Sequence, residues 1–338
     1  MSTAPTPHPP APTTSTVPRG RRGLSPAGRD RLGALAGRWA ALAALVLLVV
    51  VASLASDRFL QVSNILNVLR QISIVGVLAL GMTFVIITAG IDLSVGAIMA
   101  VVVVYTAETV QTAGIAAGVL VALLMGGGLG LVNGLGVTLG KVQPFIMTLG
   151  MMAFAKGIAL IYTQGQPIPI TDTTFLQLGN GRTLGVPNPA VVFLLLLLLC
   201  WFVLRHTVYG RSVYAVGANE EAARLSGIPV GQVKCSVYVI AGLTAGVAGL
   251  LYASQLGVGT PVAGDGAELD AIAATVVGGT SLFGGIGTVG GTFVGAAILG
   301  VLNNTLNLVG VSPFAQNLFS GGLIVVAVML QRRGARGR

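Results

Sequence analysis

The sequence predicts an all-α polytopic membrane protein of about ten transmembrane helices. Its 338 residues are 54% hydrophobic and only 9% charged, whereas a soluble domain carries about 25% charged residues. The apolar residues form many runs long enough to cross about 30 Å of hydrocarbon. These runs are continuous rather than alternating, which argues against a β-barrel. The 49 glycines fit helices that pack closely in lipid.

The apolar runs give approximate positions for ten spans. We predict them at residues 39–56, 72–90, 93–110, 114–139, 144–163, 189–204, 235–256, 268–283, 288–308 and 315–330. Residues 57–71 have the spacing of an interfacial helix on the outer surface.

Three regions follow from this reading. Residues 1–36 are polar, first rich in Pro, Thr and Ser and then in Arg, and predict a disordered cytoplasmic tail. A cleaved signal peptide is a weaker alternative, because the next apolar run has the length of a span. The transmembrane domain is expected over residues 37–332, and residues 333–338 form a second cytoplasmic tail.

Basic residues indicate the orientation in the membrane. Of the 19 Lys and Arg residues, 15 fall in the two tails, the turn at Lys141 and the polar segment 205–234, and three fall on the other side. Cytoplasmic segments carry the excess of Lys and Arg, so both termini are expected in the cytoplasm. The net charge of +9 therefore reflects membrane topology, and no nucleic-acid partner is predicted.

A pattern recurs in the two halves of the chain. Leu-Gly-x-x-Asn ends at Asn133 and again at Asn303, and Pro-Phe follows each copy, at Pro144 and Pro313. The copies lie five predicted spans apart, which inverts their orientation. Inverted repeats of five helices are typical of transporters. Chance recurrence in a glycine-rich chain is the alternative.

Asp92 interrupts the apolar stretch 81–100, with Ser94 close by and Gly90 and Gly96 on either side. A charged side chain within a membrane span is costly and indicates function. Asp92 either lines a polar pathway or caps the third span at the membrane edge; we favour the structural cap.

The segment 205–234 contains a short helix with signals at both ends. Asn219 is a good N-cap, Glu220 and Glu221 suit the first turn, and Gly227 followed by Pro229 ends the helix. So short a helix is unstable alone in water, so a partner surface is expected to hold it; a plain solvated loop is the alternative. The candidate residues are Gly217, Asn219, Glu220, Glu221, Ala222, Ala223, Arg224, Gly227 and Pro229.

A few further polar residues are candidates. Glu268 and Asp270 open the eighth span after Asp265 and either cap it or contact an outer partner. Lys156 could extend its ammonium group to the membrane surface, pair with an acidic side chain or line the transport pathway. The pathway or helix-break candidates are Gly90, Asp92, Ser94, Gly96, Asn133, Lys156 and Asn303, and the outer-face candidates are Asp265, Glu268 and Asp270. The two histidines are isolated, so no metal site is predicted.

Four segments in order, 91–96, 143–152, 217–228 and 278–285, resemble the permeases of bacterial sugar ABC importers of the ribose, xylose and galactose type. The resemblance covers about residues 57–330 and leaves the N-terminal tail out. It implies a homodimeric permease of the bacterial cytoplasmic membrane. A separate ATPase with two fused nucleotide-binding halves would drive it, and an extracytoplasmic sugar-binding protein would deliver substrate. The segment 217–229 would match the coupling helix, which enters a groove of the ATPase.

The chain itself has no phosphate-binding loop, since Gly140-Lys141 is followed by Val142. We therefore expect a non-enzymatic transport subunit that binds no cofactor, with ATP used by the partner and a monosaccharide as substrate. A permease of the same architecture for a nucleoside, a signalling furanose or an amino acid is the first alternative. The second is an ion-coupled secondary transporter with Asp92, Glu108 or Lys156 as relay. A membrane enzyme is a distant third.

Overall fold

The structure is a computed structural model that describes residues 26–312 together with 315, 318, 321, 322 and 329, with side chains from residue 41 onward. The chain divides after Gly37 into a small N-terminal unit, helical from Pro26, and a main unit from Arg38 onward. The described helices are α1 (Pro26–Ala55), α2 (Val62–Ile87), α3 (Val95–Ala113), α4 (Ile115–Thr138), α5 (Pro144–Thr163), α6 (Thr173–Asn180), α7 (Asn188–His206), α8 (Val208–Ala218), α9 (Glu220–Leu225), α10 (Val230–Leu256), α11 (Ala267–Val277) and α12 (Val289–Leu308).

Four two-residue strands join the loops between these helices. Strand β1 (Ile168–Pro169) pairs antiparallel with β4 (Val258–Gly259), and β2 (Arg182–Thr183) pairs antiparallel with β3 (Val186–Pro187). The first pair connects the loop after α5 to the loop after α10. The second closes a hairpin just before α7.

Seven of the described helices are long and apolar enough to cross a membrane: α2, α3, α4, α5, α7, α10 and α12. The described apolar part of α1, Ala41–Ala55, is shorter. The protein is therefore a mostly helical, multi-pass membrane protein, as predicted. Most of the tenth predicted span, 315–330, lies outside the described residues.

The predicted eighth span, 268–283, is wrong in length. Helix α11 has 11 residues and stops at Val277, which gives about 16 Å against about 30 Å of hydrocarbon. Gly279 follows with φ +93°, a conformation that ends the helix. The chain then turns through residues 278–288 before α12 begins.

The predicted interfacial helix at 57–71 is also wrong. Helix α2 begins at Val62 and continues without a break to Ile87. Asn64 is buried, and its amide exchanges two hydrogen bonds of 2.9 Å with the amide of Asn304 on α12. Ile65 and Leu69 are exposed, so their apolar spacing marks the outward face of a span rather than a surface helix.

The predicted disordered tail, 1–36, needs a correction at its end. Residues 26–36 belong to α1, because Ala, Leu and Arg favour helix and a proline is tolerated in the first turn. Residues 1–25 lie outside the described part of the chain.

Close backbone packing joins the central helices. Helices α2 and α3 are the most enclosed of the candidate spans, whereas α4, α5 and α7 are largely exposed at the periphery. Helix α4 packs along α10, where Gly126 lies against the Gly242 carbonyl and Gly242 lies against the Gly126 carbonyl. A side chain at either position would separate the two helices. Gly128, on the same helix, faces open space.

We expect Gly126→Ala to destabilise the protein by about 1–3 kcal/mol, because the added methyl group overpacks the α4–α10 contact. Gly128→Ala should be neutral or slightly stabilising, because alanine favours helix over glycine. Thermal unfolding in detergent measures both variants. Equal unfolding temperatures for the two would contradict this packing.

Candidate functional site

The connection between α2 and α3 is built around Asp92, whose side chain is completely buried. Its Oδ1 accepts hydrogen bonds from the Ser94 backbone N–H, at 2.8 Å, and from Ser94 Oγ, at 2.6 Å. Ser94 is the N-cap residue of α3. Asp92 thus fixes the residue that precedes the helix instead of capping a helical N–H itself, and the surrounding helices enclose its side chain.

Three other helices converge on this connection. Asn133 on α4 donates to Ser94 Oγ at 2.8 Å, and Thr148 on α5 donates to the Ile91 carbonyl at 3.3 Å. Gly90 lies against the hydroxyl of Tyr238 on α10. The predicted candidates Gly90, Asp92, Ser94 and Asn133 therefore form one site.

The site also contains oxygen atoms without hydrogen-bond partners among the described residues. They are Asp92 Oδ2, Asn133 Oδ1 and the Tyr238 hydroxyl, all buried. Unpaired buried polar atoms are uncommon in native proteins and mark functional or strained positions. Tyr238 was not predicted from the sequence, where it looked like an ordinary aromatic residue of a span.

A second site forms where the beginnings of α3 and α11 meet. Gly96 packs against the Gly264 backbone and the Glu268 carboxylate. Lys156 on α5 pairs with Asp265 at 2.9 Å, and their side chains are 43% and 52% exposed. The structure therefore brings together residues that the sequence assigned to the pathway and to the outer face.

The remaining candidates take separate positions. Asp270 lies in the first turn of α11 with Glu268, as predicted. Asn303 lies on α12, away from Asp92, and its amide oxygen is buried without a partner among the described residues. The neighbouring Asn304 pairs with Asn64, a contact that the sequence analysis did not predict. The presence of an asparagine within each of two apolar segments was the sequence feature that could have indicated it.

The short capped helix predicted in the segment 205–234 is confirmed as α9. Asn219 Oδ1 accepts from the Ala222 backbone N–H at 2.9 Å, and Gly227 has φ +81°. Arg224 pairs with both first-turn glutamates. Leu225 is 81% exposed at the end of the helix, so an apolar side chain points away from the bundle on the polar loop.

Helix α8 fixes this segment to the bundle. Gly217 packs directly on the Ile87 carbonyl at the end of α2, and the Gly285 N–H donates to the same carbonyl at 2.9 Å. The Tyr214 hydroxyl donates to the Gly287 carbonyl at 2.8 Å. The loop that carries α9 therefore contacts both α2 and the turn between α11 and α12.

A second anchor joins α8 to α10. The Tyr209 hydroxyl lies 2.6 Å from Ser236 Oγ. Burial raises the pKa of the Tyr209 phenol above its ordinary value. Ser236 Oγ donates to the Val233 carbonyl, so the Tyr209 hydroxyl is the donor to Ser236. Thr207 Oγ1 caps α8 by accepting from the Gly210 N–H at 3.1 Å.

The described residues contain no group of three His, Cys, Asp or Glu side chains placed to hold a metal ion. Both cysteines in this part of the chain, Cys200 and Cys235, are free.

Three features of this structure are typical of a transport protein. They are its membrane-length helices, the non-helical connection between α2 and α3 with its polar groups, and the capped helix α9 on a polar loop. Residues 64–328 match the family described as the permease component of the branched-chain amino acid transport system. The chain belongs to this permease family.

Individual relatives agree with this assignment. The chain is 46% identical over 298 residues to a ribose import permease protein of Bacillus subtilis, covering 86% of this chain and 91% of the relative. It is 44% identical over 300 residues to that of Escherichia coli K12, covering 86% and 92%. An L-arabinose ABC transporter permease protein of Azospirillum brasilense is 37% identical over 281 residues, covering 83% of each chain. No solved structure matches. The resemblance to permeases of sugar ABC importers is confirmed.

We expect Asp92→Ala to lower the free energy of unfolding by about 1–3 kcal/mol, because it leaves the buried Ser94 donors unpaired. Asp92→Asn keeps an acceptor oxygen and should cost less. Thermal unfolding in detergent compares the two, with the exposed Asp57→Ala as a control. Equal losses for Ala and Asn would show that the charge, not the Oδ1 acceptor, stabilises the connection.

Proposed function

We propose that this chain is the permease subunit of an ATP-driven importer that carries a ribose-like monosaccharide across the cytoplasmic membrane. The identities of 44–46% to ribose import permease proteins support the substrate class. The chain would act as one half of a homodimer with a separate ATPase and an extracytoplasmic sugar-binding protein. It would bind no cofactor, and ATP would be used by the partner.

The proposed topology has ten spans, an inverted five-helix repeat and both termini in the cytoplasm. Because α11 alone is too short to cross, the eighth span would combine α11 with the non-helical residues 278–288 that follow it. The packing of the helices supports the repeat. Helix α10 packs on α3 and α4, whereas α2 packs on α11 and α12. If α2 corresponds to α10, α3 to α11 and α4 to α12, these two sets of contacts are equivalent. Asn133 and Asn303 then occupy related positions on α4 and α12.

The proposed docking element for the ATPase is α9. Its cap at Asn219 and its ion pairs with Arg224 support the helix, and the partner surface would supply the stability that so short a helix lacks alone. Leu225 supplies the exposed apolar contact, and burying a leucine side chain in an interface is worth about 1.5–3 kcal/mol. Movement of α9 would reach the membrane helices through the contact of Gly217 with the end of α2.

The proposed sugar route passes the surface formed by Lys156, Asp265 and Glu268. Charged groups are costly on a lipid-facing surface, and the side chains of Lys156 and Asp265 are about half exposed. Such a surface therefore faces water or the second protomer. This surface offers both hydrogen-bond donors and hydrogen-bond acceptors. It suits a neutral polyhydroxylated solute, because each hydroxyl group of such a solute can both donate and accept a hydrogen bond.

The observation that carries the coupling proposal is the capped α9 helix with Leu225 exposed.

Reconstitution of this chain into proteoliposomes with its ATPase and sugar-binding protein tests the whole proposal. We expect ribose to stimulate ATP hydrolysis and to accumulate inside. Ribose uptake that persists without the ATPase and collapses with the proton gradient would show a secondary transporter instead.

We expect Leu225→Asp to reduce co-purification of the ATPase at least about tenfold, since burying a leucine side chain is worth about 1.5–3 kcal/mol. Leu184→Asp is the matched control, because Leu184 is 99% exposed in the hairpin between β2 and β3. Both variants should keep the wild-type unfolding temperature. Undiminished co-purification with Leu225→Asp would exclude this contact.

A further inference from the structure

A groove of about 700 Å³ lies on the outside of the bundle between α1, α7 and α12. Tyr214 of α8 contributes to its wall, so the groove lies at the same end of the bundle as the segment that carries α9. It is separate from Asp92, Lys156 and the other residues of the proposed sugar route.

One end of the groove is cationic. Arg205, in the last turn of α7, is exposed and makes no hydrogen bond or ion pair with the residues described. The N-terminus of α12 opens into the same groove at Val289 and Gly290. Thr288 Oγ1 already accepts from the Gly291 N–H, and the other N–H groups of the first turn and the helix dipole attract anions. No described lining residue is acidic.

The rest of the groove is apolar. Leu42 of α1, Leu204 of α7 and Val294 of α12 form its wall. Trp201 also lines it and is 45% exposed, and tryptophan favours the boundary between lipid headgroups and acyl chains. Next to the groove, the exposed face of α7 continues with apolar side chains. The groove thus joins an anion-attracting end to a surface that suits acyl chains.

We propose that this groove binds an anionic phospholipid of the phosphatidylglycerol class, with its phosphate at Arg205 and the start of α12. Basic pockets between transmembrane helices are suited to such headgroups. The apolar wall and Trp201 favour a lipid over a free phosphate ion, which has no acyl chain to bury. The proposal needs only a membrane location and does not depend on the transported solute.

Two variants test the groove by different physical means. Arg205→Ala removes the cation, and Arg211→Ala removes an exposed arginine of α8 that does not line the groove. Gly290→Leu keeps Arg205 but fills the space, since a Cβ at Gly290 meets no atom within 4 Å. Gly128→Leu is its control on α4, where the glycine also faces open space.

The measurement is phosphatidylglycerol retained per protomer, by native mass spectrometry, after extraction from nanodiscs of phosphatidylglycerol and phosphatidylcholine. We expect a loss of about fivefold for Arg205→Ala, the usual effect of one basic residue at an anionic membrane surface, and a similar loss for Gly290→Leu. Both controls should retain lipid like the wild type. Thermal unfolding confirms that each variant is folded.

Three results would overturn the proposal: wild-type retention in Arg205→Ala and Gly290→Leu, equal retention of phosphatidylcholine, or displacement of the lipid by millimolar inorganic phosphate. The last result would show a site for the free anion.

Discussion

Direct backbone contact between helices is the constraint on which this structure depends. Lipid gives no hydrophobic drive for helices to associate, so close van der Waals packing must hold them together. Gly126 and Gly242 provide it between α4 and α10, and Gly96 and Gly264 provide it where α3 meets the loop before α11. Because backbone touches backbone at these points, even a methyl group would shift whole helices.

Several polar groups inside this bundle find hydrogen-bond partners on distant parts of the chain. Ser94 receives a hydrogen bond from Asn133, and Asn64 exchanges two with Asn304. Each such pair connects two helices in a medium where an unpaired polar group is costly. The polar residues concentrate where the chain leaves helical geometry, between α2 and α3 and before α11. A transport route can therefore be lined by polar groups while the hydrogen bonds within the surrounding helices stay intact.

The segment that carries α9 continues this arrangement to the edge of the bundle. Gly217 rests on the last turn of α2, and the Gly285 N–H donates to the same Ile87 carbonyl. The Asp92 connection begins immediately after that turn. The proposed ATPase contact and the polar break of the membrane helices are thus linked by backbone contact rather than by flexible side chains, which suits the transmission of a movement.

The sequence by itself determined the membrane class, the positions of most spans and the capped helix at α9. These features depend on composition and on residues within one or two turns of each other, as with Asn219 and Gly227. The tertiary structure decided the continuity of α2, the short length of α11, the contact of Asn133 with Ser94 and the partner of Lys156. Asn64 and Asn304 are 240 positions apart, and Lys156 and Asp265 are 109 apart. No local pattern encodes such pairs, because they exist only once the helices are packed together.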